Sequence, residues 1–247
     1  MNNETLNDKK FDRRDMIRII GAAGAAAVAA ACGGDTPTNP SAVASTVTTA
    51  AGTGTTSGTS SGNDACAVSP NETAGPYPST SDIFRSDIRE NRQGVPLALT
   101  IRVINVSNGC APLANANVEI WQCDAAGNYS EYGSQTSQTY LRGIQTTDAN
   151  GQANFMTIYP GWYQGRATHI HIEVTMNGRS VKVTQIAFPE TINNAVYATG
   201  VYAPRGSNPT ANLQDGIFAD SLSSELVTPS GNPTAGYSAS YQVGVSI

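Results

Sequence analysis

The sequence predicts an all-β fold, an antiparallel β-sandwich with long active-site loops. Short runs of alternating apolar and polar residues recur about every 8–15 residues from Leu97 onward. Clusters of Gly, Pro, Asn and Asp separate them. No internal repeat or heptad pattern competes with this reading.

In chain order, Asn71–Pro78 cannot be helical, because Pro76 and Pro78 block it. Leu97–Val106 alternates Leu97, Leu99, Ile101 and Val103 with Ala98, Thr100 and Arg102, a half-buried strand. Ser107–Pro112 is a turn cluster. Asn117–Cys123 is the next strand, with Val118 and Ile120 on one face and Trp121 on the other, and Asp124–Tyr129 leaves it as a loop. Tyr140–Thr147 is a weaker strand. Asp148–Gly151 is a hairpin turn, from which Gln152–Ile158 returns. Tyr159–Arg166 is a long loop containing Gly and Pro. His169–Val174 and Val181–Phe188 are strands around Asn177-Gly178. From Pro189 to Ile247 the chain is polar, with Ser221–Leu226 a helical turn and Tyr241–Val245 a strand candidate.

The chain has 247 residues, 13 % of them charged, and a formal net charge of −5. Lys182 is the sole lysine after Lys10, so no basic surface for a nucleic-acid partner is present. Residues 1–31 have the form of an export signal. Arg13-Arg14 is a twin-arginine pattern, and the apolar run Ile19–Ala31 is too short to span a bilayer. The run ends at Cys32-Gly33-Gly34, which has the form of a lipobox. Cys32 would then be the lipidated first residue of a membrane-anchored protein, periplasmic or at the cell surface; the other reading is an ordinary cleaved signal. Residues 32–64 form a Thr/Ser/Gly-rich tether with a reach on the order of 30 Å. Residues 65–247 are the folded domain. Export favours disulfides, and Cys66, Cys110 and Cys123 remain. Cys66–Cys110 is the favoured pair, with Cys123 a buried thiol, although the spacing also permits Cys110–Cys123.

The two histidines of the chain, His169 and His171, stand two residues apart on a strand. Strand geometry puts both imidazoles on one face and Ile170, Ile172 and Val174 on the other. Such a pair can grip one metal ion, although a His-x-His on a strand is also a common packing or surface pattern. No cysteine cluster of zinc-site spacing accompanies it. Tyr129, Tyr132, Tyr140, Tyr159 and Tyr163 offer phenolate oxygen, which suits a hard trivalent ion; each is equally a candidate core residue.

Trp121–Ser130, Leu141–Gln145, Thr147–Gly151, Thr157–Tyr163 and Arg166–His171 together resemble the intradiol ring-cleavage dioxygenases, the catechol, hydroxyquinol and protocatechuate 3,4-dioxygenases. Glu72–Tyr77 resembles the segment that precedes their sandwich. The likeness runs from Cys66 to Phe188, and more loosely beyond. It implies one non-haem Fe(III) per chain, held by Tyr129, Tyr163, His169 and His171, with Tyr163 the axial tyrosine. It further implies Arg166 and Gln185 beside the substrate ring and Thr73, Gly75, Pro76 and Trp162 as pocket candidates. The implied reaction cleaves a small aromatic diol between its hydroxylated carbons with O2, giving a muconate-type diacid. The helical dimerisation domain of the catechol enzymes is absent from the sequence, as in exported single-domain members. A different class of function also fits a metal-holding sandwich: a tethered binding module without turnover.

Strand parity adds one condition. A two-residue turn at Asn177-Gly178 would set His171 opposite Thr184 and turn Gln185 away from the metal face. For Gln185 to share that face, Met176–Arg179 must hold a three-residue loop with a bulge, or another odd insertion.

Overall fold

The computed structural model describes residues 66–247. The signal segment, Cys32 and the tether lie outside the described residues. Among the described residues, nine strands form two sheets. One contains β1 (Pro96–Asn105), β2 (Ala111–Pro112), β5 (Gln152–Ile158), β8 (Ser230–Asn232) and β9 (Gly236–Val245). The other has the order β4 (Arg142–Thr146), β3 (Asn117–Trp121), β6 (His169–Met176), β7 (Arg179–Ala187). Leu97, Leu99, Ile101 and Val103 of β1 pack with Val118 and Ile120 of β3 and Ile170, Ile172 and Val174 of β6. Each of these side chains is almost fully buried. Burial of one such side chain is worth about 1.5–3 kcal/mol.

The structure corrects three expectations. The sandwich is not wholly antiparallel, because β1 and β9 pair in parallel, Leu97 opposite Tyr237 through Asn105 opposite Val245. β9 spans ten residues rather than Tyr241–Val245, its alternation diluted by Ser and Gly. The polar stretch after Pro189 holds a helix, α1 (Glu190–Tyr197), besides the short α2 (Leu222–Glu225). Its Thr, Asn and Val residues are weak helix formers, and Asn193, Val196 and Tyr197 supply the buried face.

The hairpin β6–β7 satisfies the parity condition in a different place. Met176 pairs with Arg179 and Thr175 with Ser180, so the turn keeps two residues. Val174 then pairs with Lys182, leaving Val181 unmatched, and His171 comes to lie opposite Gln185. The extra residue is a bulge two residue pairs beyond the turn.

Residues 66–95 run ahead of the first strand; Ser69 and Asp87 pair with the β1-containing sheet, while the stretch around Gly75 lies against His171 of the β4-β3-β6-β7 sheet. Cys66 is disulfide-bonded to Cys110, with Cα atoms 5.6 Å apart, and Cys123 is buried and reduced. The Ser69 N–H donates to Gly244 (3.0 Å) and the Glu72 N–H to Val183 (2.9 Å). Lys182 Nζ donates to the Ser69 carbonyl and to Asn71 Oδ1, each at 2.7 Å. The pairs Phe84–Ile144 and Asp87–Met156 form isolated bridges farther along.

Candidate metal centre

The alternation of β6 sends its isoleucines into the core and both imidazoles out under this N-terminal arm. His171 stacks flat on Trp121, its cross-strand neighbour on β3, at 4.8 Å between centroids and 2° between planes. On the arm side it meets backbone. A Cβ added at Gly75, where φ is +70°, would stand 3.0 Å from His171 Cε1.

His169 Nδ1 lies 2.7 Å from the Ala167 carbonyl, which only accepts, so that nitrogen carries the proton. Its Nε2 therefore presents a lone pair, 3.1 Å from His171 Nε2 and 3.4 Å from Tyr129 Oη. Burial, then Arg166, pushes the His169 pKa down to about 3. Burial, then His169, holds His171 well below its ordinary value. Both rings are neutral at pH 7, as ligands must be.

The tyrosines arrive on two loops. Asp124 closes the loop after β3: its Oδ1 accepts the N–H groups of Ala126 (3.0 Å) and Asn128 (2.9 Å). Tyr129 follows directly. Tyr159 anchors the other loop, bonding Asn193 through its hydroxyl (2.7 Å) and Val95 through its N–H (2.7 Å). Gly161 in this loop lies against the Asp124 carbonyl, where a side chain would overlap it. Tyr163 then reaches the site, its ring 5.7 Å from Tyr129 and 5.5 Å from His169. Burial raises the pKa of both phenols, most strongly at Tyr129, while Arg166 pulls against that rise at Tyr163. A cation must therefore displace their protons to bind.

Among the described residues no three His, Cys, Asp or Glu side chains converge. A metal bound here could take two imidazoles and would have to draw its remaining donors from tyrosine. The facing Nε2 atoms, the fixed His169 tautomer and the two adjacent phenols fit a hard trivalent cation better than a structural zinc.

Arg166 and Gln185 adjoin this cluster. Arg166 Nη2 donates to Gln185 Oε1 (2.6 Å) and Nη1 to Tyr163 Oη (3.4 Å). Gln185 Nε2 donates to the Thr73 carbonyl (2.8 Å), tying the arm to the site. Thr73, Gly75 and Pro76 thus lie on the arm over the imidazoles. Trp162 sits elsewhere in the loop packing: Arg205 covers its ring at 4.1 Å and its Nε1 donates to Gly206 (3.0 Å).

Sequence reasoning missed three participants. Tyr77 stacks on Tyr129 at 4.7 Å and meets Tyr163 edge-on at 5.8 Å; its place between Pro76 and Pro78 was the available signal. Arg142 is fully buried and ties Ser130 to the arm, donating to the Ser130 carbonyl (2.7 Å) and the Tyr77 carbonyl (3.0 Å). Asp215 accepts from Arg166 Nε at 2.8 Å, and no motif marks it.

Comparisons with known proteins bear on the family and the fold. A family model described as a dioxygenase matches residues 69–199. A catechol 1,2-dioxygenase of Candida albicans is 35% identical over 109 residues, 35% of this chain and 36% of that protein. The protocatechuate 3,4-dioxygenase beta chain of Burkholderia cepacia is 30% identical over 126 residues, 45% of this chain and 53% of its own. The chain therefore spans only about a third to a half of these curated relatives. The structure of an intradiol ring-cleavage dioxygenase from Tetranychus urticae superposes with a TM-score of 0.65 at 30% identity, covering 73% of this chain and 95% of that one. By a match across more than half its length and by its sandwich, this chain belongs to the intradiol ring-cleavage dioxygenase family.

Proposed function

We propose that the protein is a non-haem Fe(III) enzyme that opens the ring of a catechol-type diol with O2, breaking the bond between the two hydroxylated carbons and releasing a muconate-type diacid. One observation carries the reading: His169 Nε2 lies 3.1 Å from His171 Nε2 and 3.4 Å from Tyr129 Oη, the Tyr163 ring packs 5.5 Å from His169, and the Arg166–Gln185 pair lies beside them. These four residues would hold the ion. When bound, ferric iron supplies the redox-active centre that lets a catecholate react with O2.

The residues divide the remaining work. Tyr163, as a phenolate, takes a proton from the entering diol at its Oη. Its loop carries Gly161 and Gly165, and nothing lies within 4 Å of a Cβ added at Gly165. Tyr129 lies between the Tyr77 ring and the Trp121–Cys123 packing, and it stays in place. Arg166 presents Nη1 next to Tyr163 Oη, where it stabilises negative charge developing on the substrate. Thr73, Gly75 and Pro76 wall the ring position, and the Phe218 ring packs beside His169 at 6.4 Å between centroids. Export through the Arg13-Arg14 signal and anchoring at Cys32 are part of the proposal and rest on the sequence alone.

Iron loading tests the reading. Phenolate-to-Fe(III) charge transfer is expected to colour the loaded protein red-brown, and catechol is expected to drive O2 uptake with formation of a ring-opened diacid. A colourless protein holding stoichiometric zinc overturns the ferric assignment. Catechol binding without O2 uptake favours the binding module.

A further inference from the structure

Residues beyond 199 lie outside the matched segment, yet one of them reaches the site. Asp215 follows a 3-10 turn at Asn212–Gln214 and is 1 % exposed. Its Oδ2 accepts from Arg166 Nε and from the Ala167 N–H, both at 2.8 Å. Its Oδ1 accepts from the Ile217 N–H at 2.9 Å. The Phe218 ring closes over the guanidinium, 5.8 Å from its Cζ. The carboxylate is thus buried, with both oxygens held by protein donors.

The guanidinium is held on two of its three sides, Nε by Asp215 and Nη2 by Gln185. Only Nη1 is held weakly, by the 3.4 Å bond to Tyr163 Oη. A planar fork fixed at two corners has no freedom to turn about its long axis. Building on the function proposed above, we infer that Asp215 is a positioning residue: it orients Arg166 so that Nη1 faces the point where the diol and Tyr163 exchange a proton. The same Oδ2 holds the Ala167 N–H, two residues before His169. The C-terminal stretch thereby fixes the guanidinium and the entry to the ligand strand with one atom.

The test is a double-mutant cycle on the iron-loaded full chain, using Asp215→Asn, Arg166→Met and the pair. Anaerobic catechol affinity, kcat and KM are measured, with iron content as the control. A misaimed group costs up to about 10²-fold. Asp215→Asn is expected to lower kcat/KM by about that factor at unchanged iron content. In the Arg166→Met background the same change should have less than about a twofold effect, since no guanidinium remains to be aimed. An equal loss in both backgrounds shows an independent structural role and overturns the inference, as does an unaffected single variant. If Asp215→Asn does not fold, Asp215→Glu, which keeps the charge, runs the same cycle with the same criteria. A wild type that binds catechol but consumes no O2 refutes the proposed function alone, and the cycle is then read from affinity. A wild type that binds no catechol refutes both.

Discussion

Gly75→Ala separates backbone strain from pressure on a ligand. Two costs act at that position. The φ of +70° is one that L side chains rarely adopt, at about 1–2 kcal/mol. The new Cβ would also stand 3.0 Å from His171 Cε1, tighter than ordinary van der Waals contact, so the imidazole or the arm must give by a few tenths of an ångström. The ring has little room, because Trp121 lies flat against it at 4.8 Å. Gly178 provides the control: its φ is +73°, and a Cβ there meets nothing within 4 Å. Gly178→Ala should lose about 1–2 kcal/mol in urea unfolding, and Gly75→Ala at least as much. Only Gly75→Ala should weaken iron binding, by about 10–100-fold, the usual effect of disturbing a group that orients a ligand. Chelator competition monitored at the charge-transfer band measures it. Equal iron affinity in the two variants would refute the claim that the arm presses on His171.

Three further predictions follow from the same geometry. Tyr163→Phe should retain iron while turnover falls about 10²–10⁴-fold, whereas Tyr129→Phe should lower iron content itself; metal analysis and O2 uptake distinguish them, and full activity in Tyr163→Phe would mean another tyrosine serves. Deleting Val181 removes only the bulged residue and leaves His171 opposite Gln185, so the hairpin should become regular and keep the Gln185 bond to Arg166; a deletion variant destabilised by more than about 3 kcal/mol would contradict this. Glu225 is fully buried, and that burial raises its pKa to about 7 from 4.5. The native state therefore holds this proton more tightly than the unfolded chain, so stability should fall as pH rises from about 4.5 through 7. Glu225→Gln should flatten that decline in Tm, leaving the similar contribution of Glu119, and an unchanged slope would exclude Glu225 as a source.

Legibility in the sequence followed the range of each interaction. Strands with period-two alternation, such as β1, β3 and β6, announce themselves because each residue reports its own face. The histidine pair is readable for the same reason, and the need for one extra residue before Gln185 follows from parity alone. The position of that residue does not, because a bulge at Val181 and a longer turn give the same downstream faces. The parallel pairing of β1 with β9 left no trace, since no turn links strands so far apart in sequence. Asp215 was invisible for a related reason: an isolated acid in a polar stretch acquires meaning only when the fold brings it to Arg166.

The arm over the imidazoles is held by separate bonds rather than by a continuous ladder: the disulfide at Cys66, the Lys182 ammonium, and the Glu72–Val183 and Gln185–Thr73 contacts. Such a segment opens at a lower free energy than the sheets beneath it. Exchange of an ion held as proposed would then be governed by a local opening equilibrium, while the sandwich remains folded. Reduction of the disulfide unties the outer end of the arm and enlarges that open population. For a metal held as proposed, the redox state of the surroundings would then set how long it is retained, with the sheets still intact.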